Sequence, residues 1–231
     1  MLKDLSKALG VKINIADLVQ RSKDTYYTPD KIIEKMVKLV DDFAKNANKA
    51  LYELNKLEPS AGIGRFFNHL PTRNSYAVEK DRLSAKMSEY LYPGLRVDNN
   101  GYENSYFKLE NQFDLIIGNP PYANFKIGDK DFKENIHNYF MKKNVDNLRA
   151  DGISLQIITH NFMDTKSSYT RDLIAKDAEF LGAVRLPNAT FKDASVTTDI
   201  IAFRKRNAKD KDFDTSWANS IEALEKINME F

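Results

Sequence analysis

Four consecutive residues, Asn119-Pro120-Pro121-Tyr122, combine an amide, two rigid rings and an aromatic face directly after the apolar run Leu115-Ile116-Ile117-Gly118. A run of this kind reads as a buried strand, and in open α/β sheets ligands gather at the carboxyl ends of the strands. Pro120 biases Asn119 towards extended backbone, cannot donate an N–H, and is stiffened further by Pro121. The corner therefore offers a rigid amide oxygen, a backbone carbonyl free to accept, and a tyrosine ring. Two acceptors beside a π-surface suit an exocyclic amine on a flat ring. The alternative is a Pro-Pro turn that ends a strand, with Tyr122 as a wall residue.

A second group lies upstream. Glu58-Pro59-Ser60-Ala61-Gly62-Ile63-Gly64 follows a short apolar stretch, Leu51 to Leu57, and precedes Arg65-Phe66-Phe67. Small residues at a strand-to-helix turn allow a ligand close approach to the backbone. The turn lacks the Gly-Lys-Ser/Thr ending of a phosphate loop and falls short of the dinucleotide pattern. Glu79 ends the stretch Tyr76-Ala77-Val78, 21 positions after Glu58. A carboxylate at that interval and at a strand tip can accept from both hydroxyls of a ribose. A functionless tight turn and a solvated glutamate are the competing readings.

The elements that must position these groups alternate. Ile32, Ile33, Met36, Val37, Val40 and Phe43 mark a helix, with Thr28 expected as its N-cap and Pro29 as its first residue. Strands are expected at 76–79, 95–98, 113–118, 153–158, 181–186 and 198–204. Helices are expected through Phe66 to Leu70 and at 81–91, 135–150 and 166–176. Such alternation predicts an α/β fold: a Rossmann-like doubly wound sheet, mostly parallel with an antiparallel C-terminal strand, and helices on both faces. Residues 1–24 read as an N-terminal helical extension, 25–205 as the catalytic domain and 206–231 as a polar tail or linker. Residues 123–134 read as a mobile loop.

Composition narrows the chemistry. The absence of cysteine removes disulfides, thiolate nucleophiles and most structural zinc sites. His69, His137 and His160 show no ligand spacing, so no metal is expected. A net charge of +2 is too balanced to require a polyanionic partner and leaves room for a local basic face. No run of roughly 18 apolar residues and no apolar leader is present, so no membrane span is expected and the expected location is the cytoplasm.

Together, Tyr27-Thr28-Pro29, Leu57 to Gly64, Gly118 to Tyr122, and the stretch from Arg185-Leu186-Pro187-Asn188 through Phe191 to Ile201 resemble the DNA adenine-N6 methyltransferases that use S-adenosylmethionine. The likeness is to the group whose cofactor motifs precede the catalytic one, of restriction-modification or mobile-element type, and it covers about residues 24–205. It implies that Thr28 and the turn Glu58, Ser60, Ala61 and Gly62 hold the methionine part of the cofactor, with Asn119 and Pro121 nearby. It implies that Glu79 binds the ribose, and that Glu103, or else Asp98, accepts from the cofactor's adenine amine. Asn119 and Pro120 would bind the target amine, and Tyr122 and Phe191 would sandwich the flipped base. The missing thiolate independently excludes attack on a cytosine ring.

The resemblance also implies a partner. The family reads its DNA site with a separate target-recognition domain, and none is seen here, so a recognition domain or subunit elsewhere and weak DNA affinity for this chain alone are expected. Two alternatives stand beside this reading: a methyltransferase acting on RNA bases or protein glutamine, and a non-catalytic cofactor-binding or assembly module. The basic cluster at 204–211 reads as a solvated linker and Trp217 as a docking residue, while His160 and Asn161 carry no assigned role.

Overall fold

Both parities of each central strand are apolar, and the computed structural model shows why. Leu115, Ile117, Ile153, Leu155, Ile157 and Ile200 pack on one face of the sheet, while Ile116, Ile158, Ile201 and Phe203 pack on the other. Only a sheet covered on both faces buries both sets. The structure describes residues 2–14, 27–107, 112–122, 135–187, 190–191, 196–210 and 214–219. The expected mobile loop at 123–134 and any helix after 219 lie outside them.

Seven strands form the sheet: β1 (Lys56–Glu58), β2 (Ser75–Val78), β3 (Arg96–Asp98), β4 (Phe113–Gly118), β5 (Leu148–Thr159), β6 (Ala178–Arg185) and β7 (Thr198–Lys205). Their order is β3-β2-β1-β4-β5-β7-β6. β1 to β5 pair in parallel, and β7 inserts antiparallel to both β5 and β6. The expected mostly parallel, doubly wound sheet is found. Because β1 leads outward to β2 while its other neighbour β4 leads to β5, the crevice at the carboxyl ends of β1 and β4 is the topological switch point.

Helices cover both faces. α2 (Asp30–Asn46) buries Ile33, Met36, Val37, Val40 and Ala44 on the first face. α4 (Ile136–Asn147) and α6 (Tyr169–Ala175) cover the second, through Tyr139, Phe140, Met141, Val145 and Ile174. α3 (Arg82–Leu91) is capped by Asp81, whose carboxylate accepts from the Ser84 N–H at 2.9 Å. α1 (Leu2–Leu9) packs with Leu9 and Ile13 against Leu83. A four-residue helix, α5 (Asn161–Asp164), follows β5.

Three expectations are corrected. Thr28 is not the cap of α2: Pro29 takes that position, and the Thr28 hydroxyl turns inward instead. The helix expected through Phe66 to Leu70 is a single 3-10 turn, Arg65–Asn68, cut short before Pro71. Nor is the stretch after β7 wholly a solvated linker. Trp217 is buried and stacks on Phe180 at 5.2 Å, the Arg171 guanidinium donates to the Ala218 carbonyl at 2.8 Å, and Arg204 pairs with Asp151, Glu179 and Asp210.

Candidate active site

β1 ends at Glu58, and its carboxyl is withdrawn from water at 3% exposure. Burial first, and repulsion from Glu79 second, push this carboxyl well above the usual glutamate range. Glu58 Oε2 is buried with no hydrogen-bond partner among the described residues. An orphaned buried acceptor at a ligand crevice is a strong candidate for contact with a cationic or hydrogen-bond-donating group.

The turn that follows is braced from β2 and α3. Ala61 N–H donates to the Val78 carbonyl at 3.0 Å, the Ser88 hydroxyl donates to the Gly62 carbonyl at 2.9 Å, and the Gly62 N–H donates to Glu79 Oε2 at 2.7 Å. Glu79 Oε1 accepts from the Asp81 N–H at 2.6 Å. Glu79 thus holds the Gly62 turn and the start of α3 together. Gly62 has φ +55, and a Cβ there would meet nothing within 4 Å, so the turn faces open space.

β3 ends at Asp98, whose carboxylate is committed to its own loop. It accepts from Asn100 Nδ2 at 2.6 Å, the Ser105 hydroxyl at 2.8 Å and the Tyr106 N–H at 2.8 Å. Glu103, half-buried in the 3-10 turn Tyr102–Asn104, lies over Gly101: a Cβ at 101 would stand 2.4 Å from Glu103 Oε1. Of the two acids, Asp98 builds the loop and Glu103 rides on it.

β4 delivers the corner. The Asn119 carbonyl accepts from the Ser60 hydroxyl at 3.2 Å, tying the β1 turn to the β4 turn across the crevice. Asn119 Nδ2 donates to Thr28 Oγ1 at 3.1 Å, and Asn119 Oδ1 accepts from the Tyr122 hydroxyl. Burial raises the Tyr122 phenol, partly offset by this bond, so the hydroxyl stays protonated and donating. Pro120 is buried and Pro121 exposed. Phe191 is buried at 4% exposure, in the apolar cluster on which Tyr122 packs.

The fold therefore brings Thr28, Ser60, Asn119, Tyr122 and Phe191 together at the ends of β1 and β4, with Glu58 and Glu79 at the adjoining strand tips. Glu103 belongs to the β3 rim. Gln156 on β5 escaped the sequence reading. It pairs with Gly118, donates from Nε2 to the Ile116 carbonyl at 3.1 Å, and keeps a buried Oε1 with no partner among the described residues. Its signal was a glutamine inside an apolar strand. His160 Nδ1 lies 3.1 Å from the Thr197 carbonyl, and Asn161 lines a polar cavity of about 310 Å³ with Asn135 and Thr170. Among the described residues no cluster of three or more His, Asp or Glu could hold a metal ion, and no helix is long and apolar enough to cross a membrane.

Residues 32–191 match the family described as Eco57I restriction-modification methylase. The chain is 29% identical over 198 residues to the defense against restriction protein B of Escherichia phage P1, covering 81% of this chain and 8% of that protein. It is 29% identical over 164 residues to the type II methyltransferase M.HincII of Haemophilus influenzae, covering 62% of this chain and 29% of that one. The chain thus spans under a third of either curated relative. Among solved structures, the type I restriction-modification system methyltransferase subunit from Streptococcus thermophilus superimposes with a TM-score of 0.65 at 15% identity, over 79% of this chain and 45% of that one.

Proposed function

The chain belongs to the Eco57I restriction-modification methylase family, and from that membership and the crevice geometry we propose that it transfers a methyl group from S-adenosylmethionine to the exocyclic N6 of a flipped adenine in DNA. The observation that carries the proposal is the Asn119 side chain. It is held at both ends, at the carboxyl end of β4 beside β1, whose terminal Glu58 Oε2 is buried with no hydrogen-bond partner among the described residues.

The residues fit such a cofactor. Glu58 and the Ser60-Ala61-Gly62 turn would take its methionine end, which carries a positive charge that an orphaned buried carboxyl attracts. Glu79 would accept from the ribose hydroxyls and Glu103 from the adenine amine, since Asp98 is already committed to three donors. When bound, this cofactor supplies an electrophilic methyl group.

The protein's task is the nucleophile. The adenine N6 lone pair is delocalised into the ring and attacks poorly. Two N6–H groups donating to Asn119 Oδ1 and the Pro120 carbonyl would localise that lone pair and aim it. Positioning and preorganised acceptors then account for most of the catalysis, without a covalent enzyme intermediate. Extruding the base costs roughly a few kcal/mol, which stacking on Tyr122 and Phe191, about 1–3 kcal/mol per base, can offset. Because Phe191 is buried and the Tyr122 hydroxyl already occupies Asn119 Oδ1, both rings shift when a base enters. Recognition of the surrounding DNA sequence falls to a domain or subunit outside residues 1–231.

Incubation with labelled S-adenosylmethionine and DNA, RNA or glutamine-bearing protein separates the substrate classes. Label is expected on adenine N6 in DNA. Asn119→Ala should lower transfer about 100-fold or more while cofactor binding is retained; label surviving undiminished in that variant would sink the assignment.

A further inference from the structure

Asn119 has two amide ends, and the proposed reaction uses only one. Its oxygen is the acceptor for the target amine. Its nitrogen must point elsewhere, because an amide turned by half a rotation would set N–H against N–H and repel the substrate. The partner it finds is Thr28. Asn119 Nδ2 donates to Thr28 Oγ1 at 3.1 Å, across 91 positions of chain, and Thr28 is 5% exposed immediately before Pro29. Pro29, with φ −59, is the N-cap of α2, whose buried face anchors the Thr28 backbone to the core. The Ser60 hydroxyl independently holds the Asn119 backbone carbonyl.

The two hydroxyls on the amide are not equivalent. A phenol is the more acidic donor and an alcohol oxygen the better acceptor, so the Tyr122 proton goes to Oδ1 and the Nδ2 proton goes to Thr28. Burial keeps the phenol protonated.

We propose that Thr28 is a positioning residue for methyl transfer, fixing the Asn119 amide so that Oδ1 faces the incoming amine, and that the Tyr122 hydroxyl holds Oδ1 in place until the base displaces it. Thr28 acts through Asn119 and touches no reacting atom. This assignment moves its hydroxyl from the cofactor to the catalytic amide, and it rests on the reading of Asn119 as the target-amine acceptor.

The test compares Thr28→Val, which keeps shape and removes the hydroxyl, with Thr28→Ser, which keeps the hydroxyl, in the intact protein and in an Asn119→Ala background. Single-turnover transfer at saturating S-adenosylmethionine and calorimetric cofactor affinity are measured on each, with thermal melts reporting the fold. Thr28→Val is expected to slow transfer about 10- to 100-fold with cofactor affinity within about twofold of the parent. Thr28→Ser should restore most of the rate, and Thr28→Val should add nothing once Asn119 is alanine. Loss of cofactor affinity with an unchanged rate at saturation would place the hydroxyl on the cofactor and overturn the proposal, as would a Thr28→Val protein indistinguishable from the parent. Failure of the underlying reading looks different: Asn119→Ala itself would then transfer at the parental rate.

Discussion

Glu58 shows how a site residue is built at a cost to stability. Its carboxyl is raised by burial and by the Glu79 charge, so the folded protein keeps a proton that the unfolded chain releases at the ordinary glutamate value. As pH rises from that ordinary value through the raised folded one, the folded state binds more protons than the unfolded state, and ligand-free stability falls. Glu58→Gln removes the ionisation and keeps the shape. Its melting temperature should exceed the parent's near neutral pH and converge with it in acid, whereas cofactor affinity should drop. A melting-temperature gap that stays constant from about pH 5 to about pH 8 would show that Glu58 does not titrate across this window. A cationic ligand beside Glu58 favours the carboxylate, so cofactor binding should release a proton, visible as a calorimetric heat that changes with the buffer's ionisation enthalpy. That Glu58 lies at a strand end could be expected from its neighbours. The burial of its Oε2 without a hydrogen-bond partner among the described residues could not, because desolvation depends on β4, whose Gly118 lies against the Glu58 side chain.

At the scale of elements, the Glu58-to-Gly64 turn depends on two left-handed glycines with different constraints. Gly62 faces open space, whereas a Cβ at Gly64, at φ +80, would stand 2.8 Å from the Tyr92 ring and 3.1 Å from the Ser88 hydroxyl. Tyr92 is itself packed on Phe67, with ring centroids 6.0 Å apart, and bonded to Asn68, so the ring cannot swing clear. Gly64→Ala should therefore destabilise by about 1–3 kcal/mol, read as a lower urea midpoint with an unchanged slope. An unaltered midpoint would mean that the 3-10 turn relaxes without strain. The sequence located this turn from its small residues, but placed a helix after it. Leu70-Pro71 stops the chain within one turn, and apolar periodicity over Phe66, Phe67 and Leu70 does not distinguish a short 3-10 turn from an α-helix.

For the whole molecule, the second face of the sheet ends in an aromatic block that sequence order conceals. Phe180 of β6, Phe203 of β7 and Trp217 come within 5.2–5.8 Å of one another, and Arg171 of α6 bonds the carbonyls of Phe162, Thr165 and Ala218. Burial lowers the Arg171 guanidinium, partly offset by Asp172 and Asp164, and these carbonyls take up three of its N–H donors. Trp217→Ala should cost about 3–5 kcal/mol and should expose the β6 edge to hydrogen exchange before the β1–β4 crevice. Equal loss of protection at both places would show that the sheet unfolds as one unit.

By itself, the sequence determined the alternation of helices and strands, the doubly wound sheet with its antiparallel C-terminal strand, and the places where chain chemistry concentrates. Those properties are local: apolar parity, glycine and proline punctuation, and a carboxylate at a strand tip are each legible within a few residues. Tertiary structure alone decided how the concentrated groups are used. It turned Thr28 from a helix cap into the partner of an amide 91 positions away, committed Asp98 to its loop, placed Gln156 against Gly118, and left Glu58 Oε2 without a hydrogen-bond partner among the described residues. Such assignments follow from which strands lie side by side. In this sheet β1 meets β4, and that adjacency brings Ser60 to Asn119.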